Sequence, residues 1–177
     1  MGRINLMLTF KEYLLLEQFD VEVSKHGSHT YSTKIGDHTF RTTFLNKSTS
    51  EKSVPGRYEI GVTRQGPKDE KPTDALSGRS NVPAEHRLNA ILAVRGHINH
   101  FMKNQKPYEL HAEGNTREKR KVYRGLFDSL GSRSGGEVGH SDTASRIRFK
   151  PTEEQASKAE QIKSSNLAKI KAALKNK

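Results

Sequence analysis

The sequence contains no cysteine and no tryptophan, and apolar residues make up only 32% of its 177 residues. Without cysteine, the chain can form no disulfide, no zinc–thiolate site and no thiol nucleophile. No apolar run approaches the roughly 20 residues that a membrane-spanning helix needs. We therefore expect no membrane partner, and a hydrophobic core that involves only part of the chain.

Acidic residues are also scarce relative to basic ones. The chain has 31 lysines and arginines against 20 acids, which gives a formal net charge of +11. Such an excess attracts polyanions, so the expected partner is nucleic acid, either DNA or RNA, or an acidic protein surface. The first apolar run is interrupted by Lys11 and Glu12, which is a poor match to a signal peptide. We expect a protein that is not secreted by a signal peptide.

The spacing of apolar residues changes along the chain and predicts an α+β fold. Alternating residues between Asp20 and Gln65 indicate an antiparallel meander, and "YELHAE" adds a further strand. Helical periods predict a helix over Thr9–Phe19, a long helix after Pro83 and another over Asn115–Leu130. We predict an antiparallel sheet of four or five strands with two main helices packed on one face.

Composition divides the chain into three predicted parts. Residues 1–130 form the compact α+β domain, and the glycine- and serine-rich residues 131–145 are interpreted as a flexible linker. Residues 146–177 form a basic, partly helical tail. Its apolar stripe is thin, so we expect the tail to become ordered on a partner.

The stretch "HAEGNTREKRKVYRGLF" is the candidate binding site. A strand ends at Glu113, Gly114 permits a tight turn, and Asn115 or Thr116 caps the following helix. The positive end of the helix dipole and the cations beside it favour a bound anion, and phosphate matches the arginine fork. The candidate anion-binding residues are Gly114, Asn115, Thr116, Arg117, Arg120, Lys121 and Arg124, with the tail lysines Lys163, Lys169, Lys171 and Lys175.

A structural explanation of these cations stands beside the functional one. Arginine and lysine are good helix formers on a solvated face. They could also be neutralised by nearby acids such as Glu109 and Glu113. The sequence alone leaves both interpretations open.

The same stretch resembles a pattern in small uncharacterised proteins of tailed phages and bacteria, in which G-x-T-x-x-R-x-x-x-Y-R follows a strand. Gly114, Thr116, Tyr123 and Arg124 match the pattern, and Lys119 stands where arginine is usual. The resemblance implies a compact α+β fold and a phage-like origin, with no known activity. It places the protein in a host cytoplasm or inside a virion.

Catalytic, metal and cofactor sites are not assigned from the sequence. His97 and His100 have the spacing of a helical metal pair, but no carboxylate lies one turn away. Glu109, His111 and Glu113 could serve a phosphodiesterase or nuclease. We expect a binding protein rather than an enzyme, and no cofactor.

Strand aromatics admit a further hypothesis about binding. If Tyr31, Phe40, Phe44 and Tyr58 face outward, the sheet could stack on single-stranded bases; otherwise they fill the core. The predicted function is a phage-type accessory protein that binds the phosphate backbone of nucleic acid. The alternative is a virion component, or an inhibitor that docks on an acidic host protein.

Overall fold

A computed structural model of the chain describes residues 19–48, 55–76, 82 and 84–175. The helix predicted over Thr9–Phe19 lies, apart from Phe19, outside the described residues. The described ranges contain eight strands and three helices. These elements are β1 (Asp20–Val23), β2 (His29–Ile35), β3 (His38–Asn46), β4 (Arg57–Gln65), β5 (Thr73–Asp74), α1 (Ala84–Gln105), β6 (Glu109–Glu113), α2 (Arg117–Ser134), β7 (Glu137–His140), β8 (Ala144–Arg148) and α3 (Glu153–Lys175).

The strands form one sheet in the order β1-β2-β3-β4-β6-β8-β7, and β5 pairs with the end of β4. All the pairs are antiparallel except β4 with β6. That parallel pair is connected through α1, because a parallel connection needs a crossover long enough to return the chain to the same edge. The predicted α+β class and the predominantly antiparallel sheet are confirmed.

The prediction of four or five strands is wrong, because the sheet has eight. The missed strands are β5 and β7, and most of β8 lies in the segment "SRIRFKP", for which the sequence leaves a short strand or an extended chain open. Residues 131–145, which the composition suggested as a linker, include the end of α2, all of β7 and the start of β8. A Cβ atom on Gly131 would overlap Val138, and one on Gly136 would lie 2.5 Å from Cγ2 of Ile147. These two glycines therefore permit close packing, which composition cannot distinguish from flexibility.

Alternate residues of the strands form a core against the two main helices. Tyr31, Phe40 and Phe44 are buried beneath α1. The helix α2 buries Tyr123 and Phe127, with Leu126 and Leu130, in the same cluster. Both helices thus cover one face of the sheet. The hypothesis of an aromatic stacking platform fails, because these strand rings point into the core instead of outward.

The helix α3 contacts the rest of the described chain through its first turn. Gln155 is buried, and its side-chain amide donates a hydrogen bond to the Lys106 carbonyl at 3.4 Å. Thr152 and Gln155 cap each other reciprocally, since each backbone N–H donates to the other's side chain. Farther along, most side chains up to Lys169 are exposed. None of the described helices is long and apolar enough to cross a membrane.

Candidate nucleic-acid interface

The start of α2 has the predicted strand, glycine, cap and helix in sequence. Thr116 is the N-cap, with an extended backbone at φ −119° and ψ 159°. Its hydroxyl accepts the backbone N–H of Lys119 at 3.2 Å, and its carbonyl accepts that of Arg120 at 3.1 Å. The amides of Arg117 and Glu118 precede the first hydrogen-bonded turn, as expected at a helix start. The Gly114 amide is different, because it donates to the Thr143 carbonyl at 2.8 Å.

Gly114 is required for close packing. A Cβ atom at this position would lie 2.5 Å from Cγ and 2.9 Å from the backbone nitrogen of Arg120. We expect Gly114→Ala to lower the free energy of unfolding by about 1–3 kcal/mol, because helix and strand must separate. The matched control is Gly61→Ala, where a Cβ meets nothing within 4 Å. Urea unfolding of both variants checks this, and equal stabilities would contradict it.

Two arginines of α2 are fixed by backbone carbonyls. Arg120 Nη1 donates to the Gly114 carbonyl at 3.2 Å, and Arg124 Nη2 donates to the Ser141 carbonyl at 2.9 Å. A guanidinium carries five N–H donors, so each retains donors for an external acceptor. The groove that they border, which Thr143 also lines, is too narrow to hold a water molecule. A ligand here would therefore lie on the surface.

The cations at the start of α2 are mostly without acidic partners. Among the described residues, Lys119 pairs with Asp74 Oδ2 at 2.7 Å. Arg117, Lys121 and Arg124 are exposed and Arg120 is half-buried, and within the same described ranges no ion pair joins any of these four to a carboxylate. Their positive charge is therefore not balanced by an ion pair within the described residues.

The acids that could have neutralised α2 are engaged elsewhere. Both oxygens of the buried Glu109 bind arginines, Oε1 to Arg57 and Oε2 to Arg148, each at 2.9 Å. Burial alone would raise the pKa of Glu109, but hydrogen bonds from Arg148 and Arg57 outweigh it and lower the pKa. Glu113 lies 3.4 Å from His111. Glu109 and Glu113 therefore do not neutralise the cations of α2 in this structure.

The positive surface extends over both helices that cover the sheet. Together α1 and α2 contain nine lysines and arginines but three acids. Partial burial, and secondarily the charge of Arg133 on α2, lower the pKa of Arg95 on α1. The two cations therefore lie near each other. Sequence reasoning missed this pair, since only the packing of the two helices brings it together.

The tail lysines are less closely tied to this surface. Lys163 and Lys169 are exposed on α3. Lys171 and Lys175 lie in the same helix, but their side chains are outside the described residues. Gln155, in the first turn of α3, bonds to Lys106. Lys106 shares a cleft with Ser134, which is at the opposite end of α2 from Arg117. The α2 cations thus share one helix start, whereas the described tail lysines, Lys163 and Lys169, lie on a different helix.

The candidate metal and nuclease residues lie on two different elements, α1 and β6. His97 is fully buried, with its ring nitrogens 2.7 Å and 2.9 Å from the hydroxyls of Thr33 and Thr42. Within the described ranges, no group of three histidine or acidic side chains could hold a metal ion. Glu109, His111 and Glu113 alternate with the buried Leu110 and Ala112, so they lie on the sheet face opposite the helices.

No family model, curated protein or solved structure matches the chain. The residues of the phage-like pattern all have contacts within this fold. Gly114 packs on Arg120, Thr116 caps α2, Tyr123 is buried in the core, and Arg124 binds the Ser141 carbonyl. Each matching residue has a structural contact in this fold. These contacts explain the residues of the pattern without a ligand, and the resemblance stays a prediction.

Proposed function

We propose that the protein binds nucleic acid through its phosphate backbone, with the start of α2 as the principal contact surface. The supporting observation is the concentration of unpaired cations at the start of α2. Four of the eight residues from Arg117 to Arg124 are cations that form no ion pair within the described residues, namely Arg117, Arg120, Lys121 and Arg124. Charge left unpaired on one short surface is what a polyanion requires.

The chemistry of this surface favours phosphate over base recognition. Arg120 and Arg124 are oriented by carbonyl contacts, and their remaining donors can grip phosphate oxygens in two places. The groove beside them excludes even a water molecule, so it cannot enclose a base. Such binding does not depend on base sequence, and it weakens as salt rises because neutralised phosphates release counterions. The lysines of α3 would add further affinity of the same kind.

A filter-binding titration against DNA and RNA, each at two salt concentrations, tests the proposal. Arg117 and Lys121 are the variants of choice, because both are exposed and neither supports the fold. We expect Arg117→Glu with Lys121→Glu to weaken binding at least about tenfold and to reduce the slope of log K against log salt by roughly 2.

The matched control carries the same change of charge on another surface. Lys25→Glu with Lys34→Glu alters two exposed lysines, one in the β1–β2 turn and one on β2. If both double variants weaken binding equally, net charge alone drives it and the α2 surface is not the site. Binding that does not change with salt would also contradict phosphate contact.

A protein partner is the second candidate, and the exposure of α3 favours it. Leu167 is half-exposed on a helix that contacts the rest of the described chain through its first turn. A virion component, or a phage inhibitor on an acidic host protein, would cover such a residue. Stoichiometric capture of one protein that survives high salt and is lost in Leu167→Asp would favour this function over nucleic-acid binding.

A further inference from the structure

A cleft of about 450 Å³ lies at the end of α2 that is distant from Arg117. It opens between the last turns of α1 and α2 and the segment that joins β8 to α3. Its volume falls within the range of small-molecule sites, roughly 300–1,000 Å³. The apolar part of the lining is Met102, Pro107 and Phe149, and the polar part is Asn99, Lys103, Lys106, Ser134, Lys150 and Thr152.

Three lysines line the cleft, and among the described residues no carboxylate does. Lys103 is explained by its place in the last turn of α1, where a cation complements the helix dipole. That explanation does not extend to Lys150, which follows the sheet strand β8 and precedes α3. All three lysines are exposed at the edge of the cleft, where their ammonium groups can donate to an anion that lies on its apolar floor.

Lys106 lies in the cleft at the point where α1 ends. Its φ is +43°, in the left-handed region that glycine adopts at little cost. Its amide donates to the Met102 carbonyl at 3.1 Å, so the residue ends α1 in the way that a left-handed C-cap does. Glycine is more usual at such a cap, so a lysine here costs some stability.

We propose that this cleft binds a small aromatic anion of mononucleotide size. The negative group lies among Lys103, Lys106 and Lys150, and the apolar ring rests on Met102 and Phe149. This site is distinct from the α2 surface, because Ser134 lies about 25 Å along the helix from Arg117 and about 15 Å from Arg124.

Calorimetric titration of the full chain with adenosine 5′-monophosphate and with naphthalene-1-sulfonate tests the site. We expect saturable binding of at least one probe at one site per chain. Adenosine, naphthalene and inorganic phosphate should each bind at least about tenfold more weakly, because each lacks one half of the recognised chemistry. Absence of saturable binding by both anionic probes, or equal binding of the uncharged compounds, would overturn the proposal.

Two variants of the cleft and one of the α2 surface locate the binding. Lys150→Glu should weaken the probe at least about tenfold, whereas Lys121→Glu, which removes a cation from the α2 surface, should leave it unchanged. Lys121→Glu is also expected to weaken the binding of nucleic acid, so the two proposals can fail separately. Lys106→Gly should raise the melting temperature, because the strain disappears, while it weakens the probe. Unchanged probe binding in both cleft variants would show that the lysines do not form the site.

Discussion

Phe101→Ala is expected to lower the free energy of unfolding by about 3–5 kcal/mol, the range for a buried phenylalanine that leaves a cavity. Phe101 is fully buried on α1, and its ring stacks on Phe44 of β3 with centroids 3.9 Å apart and planes 2° apart. Tyr58 and His29 meet the same ring edge-on at 4.8 Å and 5.3 Å. The substitution removes contacts with three strands at once, and small domains have only about 5–15 kcal/mol to lose.

Urea unfolding measures this effect, and Leu88→Ala is the matched control. Leu88 lies on the same helix but is 43% exposed, so its truncation should change stability by at most about 0.5 kcal/mol. Similar losses in the two variants would contradict the placement of Phe101 at the centre of the core. A change in the denaturant slope in Phe101→Ala would indicate that the unfolded state, rather than packing, had changed.

The regular parts of this core could be predicted from the sequence because they repeat. The apolar residues of α1 recur at the helical period, and Phe40 and Phe44 recur at the strand period in β3. Local chemistry also predicted the start of α2, where Thr116 caps the helix as a threonine before a charged run should. Only the choice between cap residues, Asn115 or Thr116, needed the structure.

The missed elements depend on contacts between distant residues. The two-residue strand β5 exists because Thr63 and Arg64 of β4 offer it partners. The glycines around β7 are typical of a linker in composition. Their actual role is to let Val138 and Ile147 pack close to the backbone, which only the structure shows. Composition counts the glycines but does not show which residues pack against them.

The local geometry of the candidate site was predictable from the sequence, but the ion pairing of its residues was not. The sequence places the cations of α2 beside Glu113 and near Glu109, which made neutralisation as reasonable as binding. The sheet register decides the point for Glu109, because it sets that residue between Arg57 of β4 and Arg148 of β8. The cleft at Lys106 was not predictable, since its lining comes from three segments that are far apart in sequence.

The stability of the protein is expected to fall as pH decreases from about 6.5 to about 4, and His97 should account for roughly 3 kcal/mol of the loss. Burial, and secondarily the charge of His100, lower the pKa of His97 from 6.5 to about 4. The unfolded chain therefore takes up a proton in this window before the folded chain does. Stability is complete above pH 6.5, where both states are neutral, and the loss is complete below pH 4, where both are protonated.

The unfolding free energy of His97→Gln, measured from pH 4 to 7.5, should depend less on pH than that of the unmodified chain. Glutamine can still bond to Thr33 and Thr42 but does not titrate. The control His26→Gln removes an exposed histidine and should leave the pH dependence as it was. Burial also lowers the pKa of His29, which adds to the loss in every variant and cancels in the comparison. Parallel curves for the unmodified chain and His97→Gln would mean that His97 is already charged inside the fold, and the hydrogen-bonded neutral ring between β2 and β3 would then be wrong.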